Sequence, residues 1–280
     1  MKFTKMHGAG NDYVFVDLIS QPELQDHYAI RDPTQLAIDV SSRRTGIGSD
    51  GLVLISPAND AAAQMRMFNA DGSEAEMCGN ALRCVAHLLV TRHAESSAFS
   101  IQTGRGLLGA GIEHDGTFRN EMGRPILNAA MIPTTLLGDP VVNASLTVGQ
   151  KEFSVTCVSM GNPHCVIFGD DLTDDLVLNH GPQIERSPYF PSRTNVEFAK
   201  IIDRSNIKVR VWERGSGETM ACGTGACAVV VAGVLSNRCD RTVNVVLPGG
   251  TLRVDWESDD CVYLSGPVAE VFRGEWSLNS

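Results

Sequence analysis

Apolar positions along the chain fall mostly into short runs between Gly, Pro and Asp turns, the pattern of strands rather than long helices. Leu52–Ile55, Phe153–Val158, Val243–Leu247 and Leu252–Trp256 are clear cases. Two stretches differ. About Ala81–Val90 and Gly225–Leu235 are apolar nearly all the way round, which predicts two helices enclosed by other structure.

These helices belong to a repeat. At an offset of 144 the chain matches itself without a gap. Met65-Arg66-Met67-Phe68 falls on Val209-Arg210-Val211-Trp212, Glu74 on Glu218, and Cys78-Gly79 on Cys222-Gly223. Each copy reads as a strand ending in an aromatic, a Gly/Ser turn, Cys-Gly, then the apolar helix. A weaker echo links the run from Asn11 to Val16 with that from Asn162 to Ile167. The expected fold is therefore α/β (α+β). Two pseudo-symmetric halves each wrap a curved, mostly antiparallel sheet around one helix, with an active site in the cleft between them. The join is expected near Gly123-Arg124-Pro125, giving residues 1–122 and 123–266.

Composition narrows the function. The 280 residues carry 23 Lys+Arg against 33 Asp+Glu, a formal charge of −10. That balance, without a basic run, argues against nucleic acid. The strongly apolar run Ala226 to Leu235 is too short for a bilayer, which takes about 20 residues, so no membrane association is expected. Met1-Lys2-Phe3-Thr4-Lys5 leads into glycines rather than an apolar stretch, which fits a cytoplasmic protein. The eight cysteines form no C-x-x-C pair and match no common zinc spacing, so free thiols and no metal are expected. Cys84, Cys157, Cys165, Cys227, Cys239 and Cys261 read as core or surface thiols.

Cys78 and Cys222 read differently. A helix N-terminus leaves N–H groups unpaired and carries roughly half a positive charge, which stabilises a thiolate. The following Gly lets a ligand approach the backbone, and the N–H groups of Gly79/Asn80 and Gly223/Thr224 suit a carboxylate. Inverting a stereocentre needs a base on one face of the carbon and an acid on the other. A duplicated Cys-Gly supplies that pair. Duplication could also merely build two cores, but Cys-Gly is kept while Asn80/Thr224 and Met77/Ala221 differ.

With these motifs the chain resembles the diaminopimelate epimerase family. The first signature is the run Phe68 to Glu74 followed by Cys78-Gly79-Asn80. The second is Trp212 to Thr219 followed by Ala221 to Ala228. Met6 to Asp12, Met160 to Cys165 and Asn195-Val196-Glu197 match in the family's order. The resemblance implies a cofactor-independent epimerase of lysine and peptidoglycan precursor biosynthesis, interconverting L,L- and meso-2,6-diaminopimelate. It implies Cys78 and Cys222 as acid and base, and Gly79, Asn80, Gly223 and Thr224 holding the reacting α-carboxylate. Asn11, Asn69, Asn162, Asn195, Glu213 and Arg214 would hold the amino groups and the distal carboxylate. His164 and Glu213 would lie beside the reacting centre as auxiliary groups. It also implies a homodimer and a last segment, 267–280, that completes the first half. Two positions depart: Gly51 stands where some members carry a substrate-contacting Gln, and Phe272 where a dimer-contact Tyr is frequent.

Read alone, these residues have plainer roles. Arg214 and Glu213 would be surface charges, Asn11 and Asn162 turn formers, and His164 a structural histidine. Their repeat positions favour ligand contact: Glu213 falls on Asn69, polar in both copies. Rival functions are another cofactor-free racemase on this scaffold, acting for example on histidine, a thiol hydrolase using His164, or a redox-sensing module. A pyridoxal-phosphate enzyme is disfavoured, because none of the five lysines (2, 5, 151, 200 and 208) lies in a Cys-Gly motif.

Overall fold

Residues 1–92 and 96–278 are described by a computed structural model. The chain divides into two units, Met1–Asn120 with Gly266–Ser280, and Glu121–Ser265.

Unit 1 opens with a hairpin of β1 (Lys2–Gly8) and β2 (Asn11–Asp17). Its two-residue turn has Ala9 at φ 52° and Gly10 at φ 82°. Positive φ at both positions matches the twist of the strands, and it sets Asn11 opposite Gly8 at the start of β2. Two short helices follow, α1 (Tyr28–Arg31) and α2 (Thr34–Ser41). Leu36, Ala37 and Val40 of α2 cover Val14, Val16, Leu52 and Leu54 on one sheet face. Next come β3 (Gly51–Ser56), β4 (Ala63–Asn69) and β5 (Glu74–Ala75). Then α3 (Gly79–Arg92) precedes β6 (Ala98–Thr103), β7 (Gly106–Ile112) and β8 (Phe118–Gly123). The other sheet face buries α3: Ala81, Leu82, Cys84, Val85 and Leu89 meet Met6, Phe15, Val53, Met65, Met67 and Ile101.

Unit 2 contains β9 (Ala144–Val148), β10 (Lys151–Ser159) and β11 (Pro163–Phe168). After α4 (Gly181–Glu185) come β12 (Asn195–Asp203), β13 (Asn206–Glu213) and β14 (Gly217–Thr219). Helix α5 (Gly223–Leu235) then precedes β15 (Thr242–Leu247), β16 (Gly250–Trp256) and β17 (Val262–Gly266). All residues of α5 from 225 to 233 are buried, against strands β10, β11, β12, β15 and β16. The chain then adds β18 (Ala269–Glu275) to unit 1, antiparallel to β1.

Both units use one pairing scheme. In unit 1, β2 runs parallel to β3, β3 antiparallel to β4, β4 antiparallel to β5, and β4 parallel to β6. In unit 2, β11–β12, β12–β13, β13–β14 and β13–β15 repeat that order of directions. The fold is mixed α/β, mostly sheet with few helices. Both apolar helices begin two residues before their expected starts, at Gly79 and Gly223, because the preceding cysteine is itself the cap. Helix α3 is less apolar than expected: Arg83 is buried within it, while Leu88 and Val90 are only half-buried. The chain between β2 and β3 is helical in α1 and α2, within a region expected to be mostly short strands. Among the described residues no helix is long and apolar enough to cross a membrane.

Candidate functional site

The expected site residues fall into two clusters, one in each unit. In unit 1, Cys78 stands immediately before α3, its carbonyl accepting the Leu82 N–H at 2.9 Å. The nearby N–H groups of Ala81 and Asn80 favour its ionised form, so a thiolate there faces helix-start donors. As a thiol it donates to Asn11 Oδ1 at 3.4 Å, which also takes Asn80 Nδ2 at 3.4 Å. Asn11 is held from behind by Asp50, whose Oδ2 accepts its Nδ2 at 2.8 Å. Arg43 ties Asp50 to Asp12. Asn80 is fixed by Arg83, wholly buried, which donates to its Oδ1 at 2.6 Å and so turns Nδ2 toward Asn11. Asn69 ends β4 and donates to Ser73 across its own turn, a bond that ties it to its loop rather than to Cys78.

In unit 2, Cys222 caps α5. Its carbonyl accepts the Ala226 N–H at 2.9 Å and its sulfur the Gly225 N–H at 3.4 Å. Thr224 Oγ1 lies 3.5 Å from that sulfur and accepts from Asn162 Nδ2 at 3.3 Å. Asn162 Oδ1 lies 3.0 Å from His164 Nε2, and His164 Nδ1 lies 2.7 Å from Glu197 Oε1, both side chains fully buried. Glu213 ends β13, takes a hydrogen bond from Thr219, and its charge acts on Cys222. Asn195 is buried and structural in its contacts: Nδ2 donates to the Pro163 carbonyl, and Oδ1 accepts the Arg214 N–H at 2.8 Å. Arg214 itself is exposed, its guanidinium donating to the Ser192 carbonyl. Glu185 steadies this loop through Gly215 N–H and Trp212 Nε1.

Two residues at these half-sites were not singled out from the sequence. Tyr13 belongs to the core against which Cys78 packs, and Glu197 sits behind His164 and Cys222. Gly225 shows how closely the second packs: a Cβ there would lie 2.8 Å from Glu197 Oε1 and 3.2 Å from the Cys222 sulfur. A signal existed for both. The offset of 151 that lays Asn11 on Asn162 also lays Tyr13 on His164, and Glu197 interrupts an apolar strand run.

The two thiols differ electrostatically. Burial pushes the Cys78 thiol up, while the Ala81 N–H, the Tyr13 hydroxyl, the Asn80 N–H and the Arg83 charge pull it back. Burial, joined by the charges of Glu213 and Glu197, pushes Cys222 well above the usual thiol range. Burial also raises Glu213. Cys78 is the easier thiolate. Iodoacetamide in mildly alkaline buffer is therefore expected to alkylate Cys78 before Cys222 in peptide mass spectra; the reverse order would contradict this electrostatic assignment.

The remaining cysteines are buried and free, with Cys84, Cys157 and Cys165 in the cores. Among the described residues no cluster of His, Cys, Asp and Glu is arranged to hold a metal ion.

Comparison with known proteins matches residues 3–127 and 156–271 to the family model for diaminopimelate epimerase. A relative of that name from Desulforudis audaxviator is 51% identical over 282 aligned positions, covering 99% of each chain. Another, from Methanococcus maripaludis, is 47% identical over 281, covering 98% of this chain and 99% of its own. A solved hydroxyproline epimerase from Agrobacterium vitis has the same fold at 13% identity and a TM-score of 0.66, covering 98% of this chain and 90% of its own.

Proposed function

Since the chain belongs to the diaminopimelate epimerase family, we propose that it interconverts L,L- and meso-2,6-diaminopimelate with its own two cysteines as base and acid. The observation that carries this reading is the pair of helix starts. Cys78 and Cys222 occupy matching positions in the repeat, and each stands at a helix start with its carbonyl accepting the N–H four residues on, from Leu82 or Ala226. The reaction needs a base that becomes an acid with every turnover, and a capped cysteine can hold either state.

From the resting assignment, the Cys78 thiolate takes the α-hydrogen as a proton and the Cys222 thiol returns one to the opposite face. The carbon inverts and the sulfurs exchange states, ready for the reverse reaction. Negative charge building on the substrate's carboxylate meets the N–H groups of Gly79, Asn80, Gly223 and Thr224. Asn11 and Asn162, held by Asp50 and His164, receive the polar groups around the reacting carbon. Asn69, Glu213 and Arg214 receive the distal amine and carboxylate, with Asn195 holding the Arg214 backbone in place.

A planar guanidinium grips a carboxylate through two parallel bonds that an ammonium cannot reproduce. Arg214→Lys is accordingly expected to raise KM for diaminopimelate by roughly tenfold or more with a smaller change in kcat, from the loss of one charge-assisted bond. An unchanged KM in steady-state assays would move the distal clamp to another residue.

The chain is read as a homodimer working in a reducing cytoplasm. Val271 and Phe272 on β18, 55% and 45% exposed, offer the apolar surface a partner copy would cover. The test of substrate is direct. L,L-diaminopimelate, histidine and glutamate are each incubated without added cofactor and followed by optical rotation. Conversion of diaminopimelate alone is expected, and racemisation of histidine in its place would make this a different racemase.

A further inference from the structure

The first turn of α3 is held from inside by a buried cation. Arg83 lies one turn along that helix and is wholly buried. Helix side chains lean toward the N-terminus, so its guanidinium returns to the start of α3. There Nη1 donates to the Gly79 carbonyl at 3.3 Å and Nη2 to Asn80 Oδ1 at 2.6 Å. Nη1 also donates to Asn120 Oδ1 on β8 at 3.3 Å, which ties the turn to the sheet. The Gly79 carbonyl and the Asn80 N–H are the two ends of one planar peptide and point opposite ways. Holding the carbonyl therefore aims the N–H away from Arg83. The Asn80 amide carries the same constraint further, since its Nδ2 meets Asn11 Oδ1, the acceptor of the Cys78 thiol. Glycine at position 8 lets β1 close on this residue: a Cβ there would stand 3.1 Å from the Asn80 carbonyl oxygen and 3.3 Å from the Asn80 Cβ.

The repeat shows that the fold does not require this cation. At the offset of 144 Arg83 falls on Cys227, a small neutral residue that is equally buried in α5. Burying a charge costs free energy that burying a thiol does not. The second unit buries a charge of the opposite sign, Glu197, beside Cys222. We propose that Arg83 is a positioning residue for the first cysteine: it fixes the Gly79–Asn80 peptide and the Asn80 amide, and its charge behind them makes Cys78, rather than Cys222, the resting base. This deepens the two-cysteine reading above and rests on it for the turnover effect alone. A cation at the carbonyl end of a peptide polarises its N–H into a stronger donor. The Asn80 N–H is thus strongest where negative charge gathers, first on the thiolate and then on the α-carboxylate. The groups that act on the Cys78 sulfur electrostatically are Tyr13 on β2 and Arg83 and Cys84 on α3, with Asp50 one hydrogen bond further, behind Asn11.

The test compares wild type with Arg83→Met, which keeps an unbranched chain and removes the charge, and with Arg83→Lys, which keeps the charge without the fork. Alkylation of Cys78 and Cys222 by iodoacetamide is followed against pH by peptide mass spectrometry in the unliganded enzyme, beside the pH profile of kcat/KM. In Arg83→Met the Cys78 midpoint is expected to rise by about one pH unit, making alkylation about tenfold slower on its acid side. The acid limb of kcat/KM should move by the same amount, a change that a merely structural role would not produce. Arg83→Lys should bring the midpoint most of the way back. A Cys78 midpoint unmoved in Arg83→Met, one no lower in Arg83→Lys than in Arg83→Met, or an equal shift at Cys222 would overturn the proposal. Should these variants not fold, Asn120→Asp keeps the fork and sets a carboxylate against Nη1, offsetting the charge in place. The Cys78 midpoint should again rise, and an unmoved one would again overturn the proposal. Alkylation requires no substrate, so a failure to turn over diaminopimelate leaves this measurement intact.

Discussion

Cys78→Ser and Cys222→Ser are each expected to lower turnover by about 10³-fold, within the 10²–10⁴ that a positioned acid or base contributes. A serine hydroxyl at these positions cannot ionise near neutrality, so neither abstraction nor return of the α-proton has its group. The fold should survive, because serine is itself a favoured N-cap and replaces sulfur almost atom for atom at the starts of α3 and α5. Each variant therefore keeps its melting temperature and loses its rate in both directions. The double variant is expected to be little worse than either single one, since the two groups act as a unit. Retention of more than about a tenth of the wild-type rate by either single variant would remove that cysteine from the chemistry.

The second large effect is on stability. His164 and Glu197 are both wholly buried and 2.7 Å apart, and Glu197 Oε2 has no hydrogen-bond partner. Removing one member of a buried pair strands the other, at a typical cost of 3–5 kcal/mol, about that of the loss expected for Glu197→Ala. His164→Ala should cost a similar amount. The double variant should lose clearly less than the sum, because neither group is then left unpaired. Chemical denaturation of the four proteins measures the cycle. Strict additivity would mean that the pair contributes nothing as a pair. Cys222 supplies a second readout: without the Glu197 charge its thiol should alkylate at lower pH, as the proximity of that carboxylate raises it now.

Much of this site was legible in the sequence because its chemistry sits on a repeat. Cys-Gly recurs at one offset, and the apolar stretches behind it identified α3 and α5 before their geometry was known. What the sequence hid were partners distant in the chain. Glu197 lies 33 positions from His164 and reaches it only because β11 and β12 run side by side. Arg83 lies in a helix read as apolar nearly all the way round, yet it sets the direction of the Asn80 amide. The apolar stretches alone mark α3 and α5 only from about Ala81 and Gly225; the first turns, from Gly79 and Gly223, are where the Cys-Gly motifs place them. Asn195, read from its motif position as a substrate contact, also has a role the motif does not announce: its amide bonds the Pro163 carbonyl and the Arg214 N–H.

Every functional statement above depends on two sulfurs working from opposite faces of one carbon. The most direct measurement is epimerisation of L,L-diaminopimelate in D2O, with product and residual substrate separated after a small fraction of one equilibration. With one sulfur removing and the other returning the proton, meso product carries deuterium at the inverted carbon while recovered L,L substrate carries almost none. Equal early labelling of both, or product that keeps the original hydrogen, would mean a single base serving both faces and would contradict the account.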